Sequence, residues 1–416
     1  MPITRRHVLS GGVAALALTG CGGTPMRVGN GTGRPRLAPP EPAFRPIPNP
    51  GWDAWVRDFR SRAAARGISA ATLNTAFRGA GYLPGVIERD RNQTESNRTL
   101  EDYLAIVAND DKVQSGRAAR ASRRALLGEI ETRYGVPAEV VAAIWGMESN
   151  YGSRRGDISV ISATSTLAFD GRRGAFFEKQ LMAALRILQR GDTTPAQMTG
   201  SWAGAMGHTQ FIPTTFDAYA VDFRGDGRRD IWSDDPTDAL ASAAAYLAKS
   251  GWRRGTPWGY EVRLPGGGAP IGSTRALSDW ASAGLTRANG GRLSGAASAR
   301  LIQPAGANSP AFLTLANFRV ILRYNNAEKY AIGVGHLSDR IAGGGPLRAT
   351  FPPDRHGLSL QDRKRLQTRL NGLGYDLGTP DGVLGKKSEA AIRAYQRANG
   401  MAETGTPSPE LLARLG

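Results

Sequence analysis

The segment from Pro137 to Gly152 constrains the fold more than any other part of the chain. Its sequence, PAEVVAAIWGMESNYG, becomes almost wholly apolar until it reaches a single carboxylate, Glu148. Pro137 suits the first turn of a helix, and Gly152 suits the point where the helix stops. Val140, Ile144 and Glu148 are spaced four apart and therefore share one helix face. The pattern predicts an apolar helix that ends in one acid facing an interior or a cleft wall.

A carboxyl group in such surroundings is suited to proton transfer. Burial raises the pKa of a carboxylic acid because the charged form loses its hydration, and a protonated acid can donate to a leaving group. A buried carboxylate can equally be structural, by capping a helix or pairing with an arginine. The segment alone leaves the catalytic and the structural interpretation of Glu148 open.

The charge of the chain narrows the choice of partners. A net charge of +17 and a sequence pI of 10.5 predict a surface that attracts polyanions. The 53 lysines and arginines are spread along 416 residues, without a basic helix or zinc-finger spacing, which argues against nucleic acid. An anionic cell-wall polymer or a membrane surface fits this charge equally well.

Composition divides the chain into segments. Residues 1–21 read as an export signal, with a twin arginine and an apolar run too short to span a membrane. Residues 22–50 are rich in Gly, Pro and Arg and predict a flexible tether. Helical spacing dominates residues 51–342, interrupted at 253–310 by a looser, partly β insertion, and it resumes at Phe312.

The C-terminal part is predicted to be a separate small unit. Residues 343–357 contain a run of three glycines and a pair of adjacent prolines and predict an interdomain linker. Residues 358–416 predict three short helices, with Leu366, Leu370 and Leu373 on the apolar face of the first. The fold class expected from these patterns is mainly α, with a minor α+β part.

A second informative segment runs from Gly200 to Pro213 and reads GSWAGAMGHTQFIP. Its three glycines let backbone pass close to a flat or bulky group, while Ser201, His208 and Gln210 offer hydrogen bonds. The alternative is a tightly packed turn in a core. Considered with the acid and the many aromatic residues nearby, the segment favours a polysaccharide cleft.

Several motifs in the same order resemble the membrane-bound lytic murein transglycosylase B family. They are GMESNYG with ISATSTLAFD, GSWAGAMGHTQFIPTTF, the acidic loop after Val221, and FRVILRYNNAEKYAIGV, between about Trp52 and Ile341. The C-terminal motifs LNGLGYDLGTPDGVLG and AIRAYQRANGM similarly resemble a helical peptidoglycan-binding domain, with Tyr395 where that family often has Phe. The resemblance implies a lysozyme-like catalytic domain followed by a three-helix wall-binding domain.

The resemblance also implies roles for individual residues. Glu148 takes the position of the single catalytic acid of the family. The tyrosines at matching positions can equally be ordinary core and rim residues. The positions expected to bind the glycan are Ser201, Gln210, Tyr246, Tyr324, Tyr330 and Tyr103.

A single acid implies a mechanism in which the substrate supplies the second group. Most glycosidases use two carboxylates, but nothing in the spacing of Asp157, Asp170 or Glu178 assigns them a role. By resemblance, Glu148 protonates the oxygen between N-acetylmuramic acid and N-acetylglucosamine and then acts as base on the muramic acid 6-hydroxyl. The product is a 1,6-anhydro sugar, and no cofactor is required. The alternatives are a muramidase of the same fold and a non-catalytic wall-binding lipoprotein.

The acidic loop partly matches the spacing of a calcium-binding loop. Arg224 occupies the third position, where an oxygen ligand is normal, and Ser233 occupies the twelfth, where a glutamate is expected. The resemblance implies a structural calcium site closed by a later carboxylate, and the alternative is an acidic turn cross-linked by Arg228 and Arg229. The four candidate ligands are Asp222, Asp226, Asp230 and Asp238.

The export signal predicts where the protein acts. The ending LTGC resembles the lipobox of bacterial lipoproteins, which implies a lipid anchor on Cys21; the alternative is a signal peptide cut further downstream. Gly22 and Gly23 stand where an acidic residue would retain a lipoprotein at the inner membrane, so the outer membrane of a Gram-negative periplasm is expected. The expected partner is the peptidoglycan glycan strand, bound by a monomer that does not bind nucleic acid.

Overall fold

A computed structural model describes residues 44–92 and 98–416. Its contacts divide these residues into unit 1, residues 98–147 and 246–416, and unit 2, residues 44–92 and 148–245. The helices are α1 (Pro50–Ala65), α2 (Ala70–Phe77), α3 (Pro84–Arg91), α4 (Leu100–Val107), α5 (Asp110–Ser122), α6 (Arg124–Tyr134), α7 (Ala138–Ser149), α8 (Val160–Asp170), α9 (Gly174–Arg190), α10 (Pro213–Tyr219), α11 (Thr237–Lys249), α12 (Leu277–Ser282), α13 (Ala316–Tyr324), α14 (Glu328–Ile341), α15 (Leu360–Gly372), α16 (Lys386–Ala398) and α17 (Pro409–Arg414). The strands are β1 (Ile158–Ser159), β2 (Thr199–Gly200), β3 (Gly259–Arg263), β4 (Thr274–Ala276), β5 (Thr286–Arg287), β6 (Ser298–Ile302) and β7 (Ala311–Thr314).

Unit 2 is built around α8, whose residues from Val160 to Ala168 are all buried. The helix packs on α9, α3 and α1. Its buried hydroxyl groups bind the chain that connects α2 to α3, because Ser162 Oγ accepts from Gly81 N at 3.2 Å and Thr166 Oγ1 accepts from Leu83 N at 3.1 Å. A polar face can therefore be buried here without losing its hydrogen bonds.

Unit 1 contains the predicted β insertion as a five-stranded antiparallel sheet of order β4-β6-β7-β3-β5. The prediction that helix resumes at Phe312 is wrong, since Phe312 lies in β7 and α13 begins at Ala316. All four residues of β7 are buried, and a short apolar run of this kind has no alternation that separates strand from helix. After the sheet, α14 packs on α13, α4 and α5.

The three C-terminal helices, α15 to α17, have a hydrophobic cluster of their own that includes Leu366, Leu370, Ile392 and Leu411. Leu373 does not belong to it: α15 ends at Gly372, and the Leu373 side chain is 56% exposed. None of the helices that the structure describes is long and apolar enough to cross a bilayer. The lipobox and Cys21 lie outside the described residues.

Candidate active site

Glu148 lies in the last turn of α7 and is half-buried. Val140 and Ile144, on the same face, are 7% and 0% exposed, so the apolar surface extends up to the acid. Within unit 1, the buried ammonium of Lys112 donates to Gly146 O at 2.9 Å and so satisfies a carbonyl of this turn. The end of α7 is therefore held by packing and by a charged hydrogen bond.

A left-handed turn follows the acid directly. Asn150, Tyr151 and Gly152 have φ of 51°, 58° and 86°, a conformation that costs free energy in residues other than glycine. Ser149 compensates for this cost. Its hydroxyl donates to His208 O at 2.6 Å and accepts from Gly152 N at 3.1 Å. Ser149 thereby joins the end of α7 to the Gly200–Pro213 segment within unit 2.

The glycan-binding candidates Ser201 and Gln210 stand at the two ends of a compact loop. Ser201 Oγ accepts from Ala205 N at 3.1 Å. Gln210 adopts φ of 50°, and its amide donates to Arg155 O at 3.0 Å and to Gly207 O at 2.8 Å. The amide N–H groups are thus used by one carbonyl of the loop and by the carbonyl of Arg155, so the oxygen Oε1 is what the side chain can offer to a ligand.

The glycines of this loop allow its own backbone to pack closely. A Cβ on Gly200 would lie 2.1 Å from Ala205 O, and a Cβ on Gly207 would lie 2.1 Å from Ile231 O. Such separations exclude any side chain. These glycines therefore let segments of the protein's own backbone pack against each other, as the alternative of a tightly packed turn predicts.

Arg155 connects this loop to the acidic loop. Its Nη1 donates to Trp232 O at 2.9 Å and to Ser233 O at 2.6 Å, and its Nη2 lies 2.6 Å from Asp234 Oδ1. His208 Nε2 lies 2.7 Å from the same Ser233 carbonyl, which requires the proton to be on Nε2. Burial lowers the pKa of His208, so this histidine acts as a neutral donor.

The carboxylates of the acidic loop bind its own backbone. Asp222 accepts from the N–H groups of Gly225 and Gly227; burial would raise the pKa of Asp222, but these bonds outweigh burial and lower it. Burial raises the pKa of Asp238, which accepts from Phe223 N and Asp230 N at 2.9 Å each.

Each of the four candidate carboxylates accepts a hydrogen bond from a backbone N–H of the loop. No group of three or more His, Cys, Asp and Glu residues within 44–92 and 98–416 is placed to hold a metal. Arg229, which was expected to cross-link the acidic turn, instead pairs with Asp192 outside the loop. Its Nε and Nη2 atoms donate to the two carboxylate oxygens at 2.9 and 2.6 Å. Asp226 Oδ1 accepts from the backbone N–H of Arg228, and Asp230 Oδ1 accepts from Trp232 N.

The candidate tyrosines form a connected group in unit 1. Tyr246 meets Tyr324 edge-on at 5.1 Å between ring centroids, and Tyr324 stacks on Tyr330 at 6.4 Å and 10°. Tyr330 is 3% exposed, whereas Tyr246 and Tyr324 are half-buried and present ring surface to a ligand. Tyr103 is 7% exposed and packs against α14, where a Cβ on Gly333 would lie 3.0 Å from its ring. We call Tyr246, Tyr324 and Tyr330 the tyrosine ladder.

The candidates thus fall into two groups, each described within its own unit. In unit 2, the Ser149–His208 hydrogen bond joins the end of α7, which carries Glu148, to the loop that carries Ser201 and Gln210. In unit 1, three tyrosines are in ring contact, and Tyr103 packs on the helix that carries Tyr330. Sequence reasoning missed two residues that organise the first group, Ser149 and Arg155. The position of Ser149 directly after the acid could have indicated its role. Nothing in the sequence around Arg155 indicates a role for that residue.

Comparison with known proteins places this site in a family. Residues 51–339 match the Transglycosylase SLT domain, and residues 359–415 match a peptidoglycan binding domain. Membrane-bound lytic murein transglycosylase B of Escherichia coli is 34% identical over 236 residues, which span 56% of this chain and 64% of that protein.

Solved structures agree with this match. SltB3 from Pseudomonas aeruginosa, in complex with NAG-anhNAM-pentapeptide, is 47% identical with a TM-score of 0.71, covering 88% of this chain and all (100%) of its own. The Escherichia coli lytic transglycosylase Slt35, in complex with calcium, is 30% identical with a TM-score of 0.60, covering 71% of this chain and 93% of its own. The mainly α, lysozyme-like fold and the resemblance inferred from the motifs are confirmed, and the chain belongs to the Transglycosylase SLT domain family.

Proposed function

We propose that this protein is a lytic transglycosylase that cleaves the β-1,4 bond between N-acetylmuramic acid and N-acetylglucosamine in peptidoglycan. The observation that carries the proposal is the attachment of Glu148. The acid ends an apolar helix, and the neighbouring Ser149 hydroxyl ties it to the loop of Ser201 and Gln210. An acid on rigid backbone beside hydrogen-bonding groups suits proton transfer to a bound sugar.

In the proposed mechanism Glu148 acts twice. It first protonates the glycosidic oxygen, while the 2-acetamido group of the muramic acid shelters the positive charge that develops on the ring. The carboxylate then takes the proton of the 6-hydroxyl, which closes on the anomeric carbon to give the 1,6-anhydro product. Asp170 and Glu178 are engaged in ion pairs with Arg91 and Arg62, at 2.7 and 2.9 Å, which favours a mechanism with one acid.

The test uses two glutamine variants on the same helix. We expect Glu148→Gln to abolish release of anhydromuropeptides from purified sacculi, because the amide cannot transfer the proton, while its thermal unfolding stays close to that of wild type. Glu139→Gln, in the first turn of α7, is the matched control and should remain active, because the ion pair of Glu139 with Arg120, at 3.6 Å, is near the surface.

Mass spectrometry of the products decides among the alternatives. Reducing muramic acid as the main product of wild type would identify a muramidase and contradict the proposed reaction. Equal activity in Glu148→Gln and wild type would remove Glu148 from the mechanism. Binding to sacculi without turnover by wild type would identify a non-catalytic wall-binding protein.

We further propose that the C-terminal helices attach the enzyme to peptidoglycan and that a lipid on Cys21 holds it at the outer membrane, in the periplasm. The first part is supported by the match of residues 359–415 and the second by the lipobox motif. Tyr103, Tyr246, Tyr324 and Tyr330 are proposed to flank the bound glycan. Calcium binding by the four aspartates of the acidic loop stays a prediction.

A further inference from the structure

One buried arginine joins the C-terminal helices to α4 within unit 1. Arg363 lies on α15, and its side chain is only 4% exposed. The guanidinium pairs with three carboxylates. Nη1 lies 3.1 Å from Asp354 Oδ2, and Nη2 lies 3.3 Å from Asp102 Oδ1 and donates to Glu101 Oε2. We call these four residues the Arg363 clamp.

The clamp holds three negative groups around one positive group. The side chains of Glu101, Asp102 and Asp354 are 12%, 20% and 14% exposed, so water screens their charges poorly. Burial raises the pKa of Glu101, and the Arg363 guanidinium opposes that shift. Without the guanidinium, three carboxylates would repel one another in a poorly hydrated place. Arg363 is therefore the group that keeps α15 against the start of α4.

The segment between α14 and α15 is fastened as well. Glu261 on β3 accepts from the backbone N–H groups of Arg348 and Ala349, at 2.9 and 2.8 Å. Asp354, besides pairing with Arg363, accepts from His356 N at 2.8 Å. The C-terminal helices therefore follow a bound connection that leads them to the clamp.

The clamp acts at the turn that carries a proposed glycan-binding residue. Glu101 and Asp102 lie in the first turn of α4, and Tyr103 is the next residue. The Tyr103 ring packs against α14 at Gly333, and α14 also carries Tyr330 of the tyrosine ladder. Movement of the first turn of α4 would therefore displace the Tyr103 ring from the helix that supports the ladder.

We propose that Arg363 is a positioning residue for the glycan site: it clamps the first turn of α4 and so fixes Tyr103 against α14. The inference rests on the proposed function, because Tyr103 is one of the residues proposed to flank the glycan. It gives the C-terminal helices a second role, shaping the site in addition to attaching the enzyme to the wall.

The first test is Arg363→Met in the full chain, without substrate. We expect faster amide hydrogen exchange in α4, from Leu100 to Val107, and unchanged exchange in α9 of unit 2. Arg365→Met is the matched control, because Arg365 lies on the same helix, is 58% exposed and pairs with Asp362 on its own helix. Unchanged exchange in α4 would overturn the inference. If Arg363→Met fails to fold, the same exchange measurement is made on Arg363→Lys, which keeps the positive charge but loses the geometry by which a guanidinium pairs with several carboxylates.

The second test is kinetic and uses soluble peptidoglycan strands. We expect Arg363→Met to raise KM by about tenfold with little change in kcat, and Arg365→Met to leave both unchanged. In a Tyr103→Ala background, Arg363→Met should have no further effect on KM, because the positioned ring is already absent. Additive effects of the two substitutions would overturn the inference. If wild type produces no anhydro sugar, the proposed function is wrong. The hydrogen-exchange measurement still tests whether Arg363 holds the first turn of α4, because it needs no substrate.

Discussion

Arg155 joins its own segment of unit 2 to two others, through its guanidinium and through its backbone carbonyl. The guanidinium binds the carbonyls of Trp232 and Ser233, and the backbone oxygen accepts from Gln210. His208, which shares the Ser233 carbonyl, is the residue whose own carbonyl receives the Ser149 hydroxyl. Loss of the guanidinium should therefore reach the acid through two intervening contacts.

The prediction at this scale compares two neighbouring arginines. We expect Arg155→Gln to lower kcat by about tenfold, because small displacements of a catalytic group are costly. Arg154→Gln should be neutral, because Arg154 is exposed. Asp234→Asn should stay within about twofold of wild type, since Asp234 is 96% exposed and exposed ion pairs contribute little. The measurement is release of anhydromuropeptides by each variant at matched protein concentration.

The comparison of variants separates the carbonyl contacts from the surface ion pair. If Asp234→Asn lowers kcat as much as Arg155→Gln does, the ion pair, and not the carbonyl contacts, is responsible for the loss of activity. A neutral Arg155→Gln would show that the acidic loop does not position the acid.

Individual residues differ in how far the sequence reveals them. Glu148 is conspicuous in the sequence because it is a carboxylate that ends an otherwise apolar run. Arg155 is one of many arginines, and its importance depends on the folding of residues 232–234 onto it, which no local pattern encodes. Ser201 and Gln210 were identified by resemblance, and the structure adds that both are engaged in the turn that they close.

At the level of elements, periodicity predicted that the segments from Trp52 to about Gly251 are mainly helical, because apolar positions recur there at helical spacing. It failed at β7, where burial on both faces removes the alternation of a strand. It also could not predict that Tyr246 on α11 and Tyr324 on α13 would meet, since 78 positions separate them in the numbering and only tertiary packing joins their rings. Contacts of this kind follow from topology.

The element α14 carries a buried base, and this predicts how stability depends on pH. His336 is 7% exposed, and burial, together with the charge of Arg340, lowers its pKa to about 4 from the ordinary 6.5. Between about pH 6.5 and pH 4, His336 is protonated in the unfolded chain and neutral in the folded chain. His336 therefore lowers the free energy of unfolding as pH falls through this window, by up to about 1.4 kcal/mol per pH unit. Asp339 on the same helix contributes in the opposite direction, because burial raises its pKa to about 6 and the folded chain binds that proton before the unfolded chain does.

Denaturant unfolding between pH 7 and pH 4 tests this prediction. Relative to wild type, His336→Leu should lose the destabilisation on acidification that His336 contributes, because it removes the titrating group and places an apolar side chain in the site. The contributions of His208 and Asp339, which have opposite signs, should remain. His356→Gln, between α14 and α15, is the control and should keep the slope of wild type. An identical slope in His336→Leu would mean that His336 does not control acid stability.

At the scale of the whole molecule, the chain enters each unit more than once. Among the described residues, unit 1 takes segments from both sides of residues 148–245 of unit 2, and unit 2 takes segments from both sides of residues 98–147 of unit 1. Helices α7 and α11 each contain residues of both units. The sequence predicted one catalytic segment at 51–342 because its helical pattern continues across these crossings. Composition changes, such as the glycines and prolines of 343–357, indicate breaks in the chain, but they do not indicate which distant segments pack together.

The net charge of +17 is also a property of the whole molecule, and it predicts salt-dependent attachment to the wall. Peptide stems of peptidoglycan carry carboxylates, so long-range attraction should add to specific binding at low ionic strength and be screened at high ionic strength. We expect the fraction of Glu148→Gln protein that sediments with sacculi to fall as salt increases. The same variant on uncharged chitin should show little change, because that polymer provides no carboxylates. Sedimentation with sacculi that does not change with salt would mean that contacts to the sugars alone, and no electrostatic attraction, hold the enzyme on the wall.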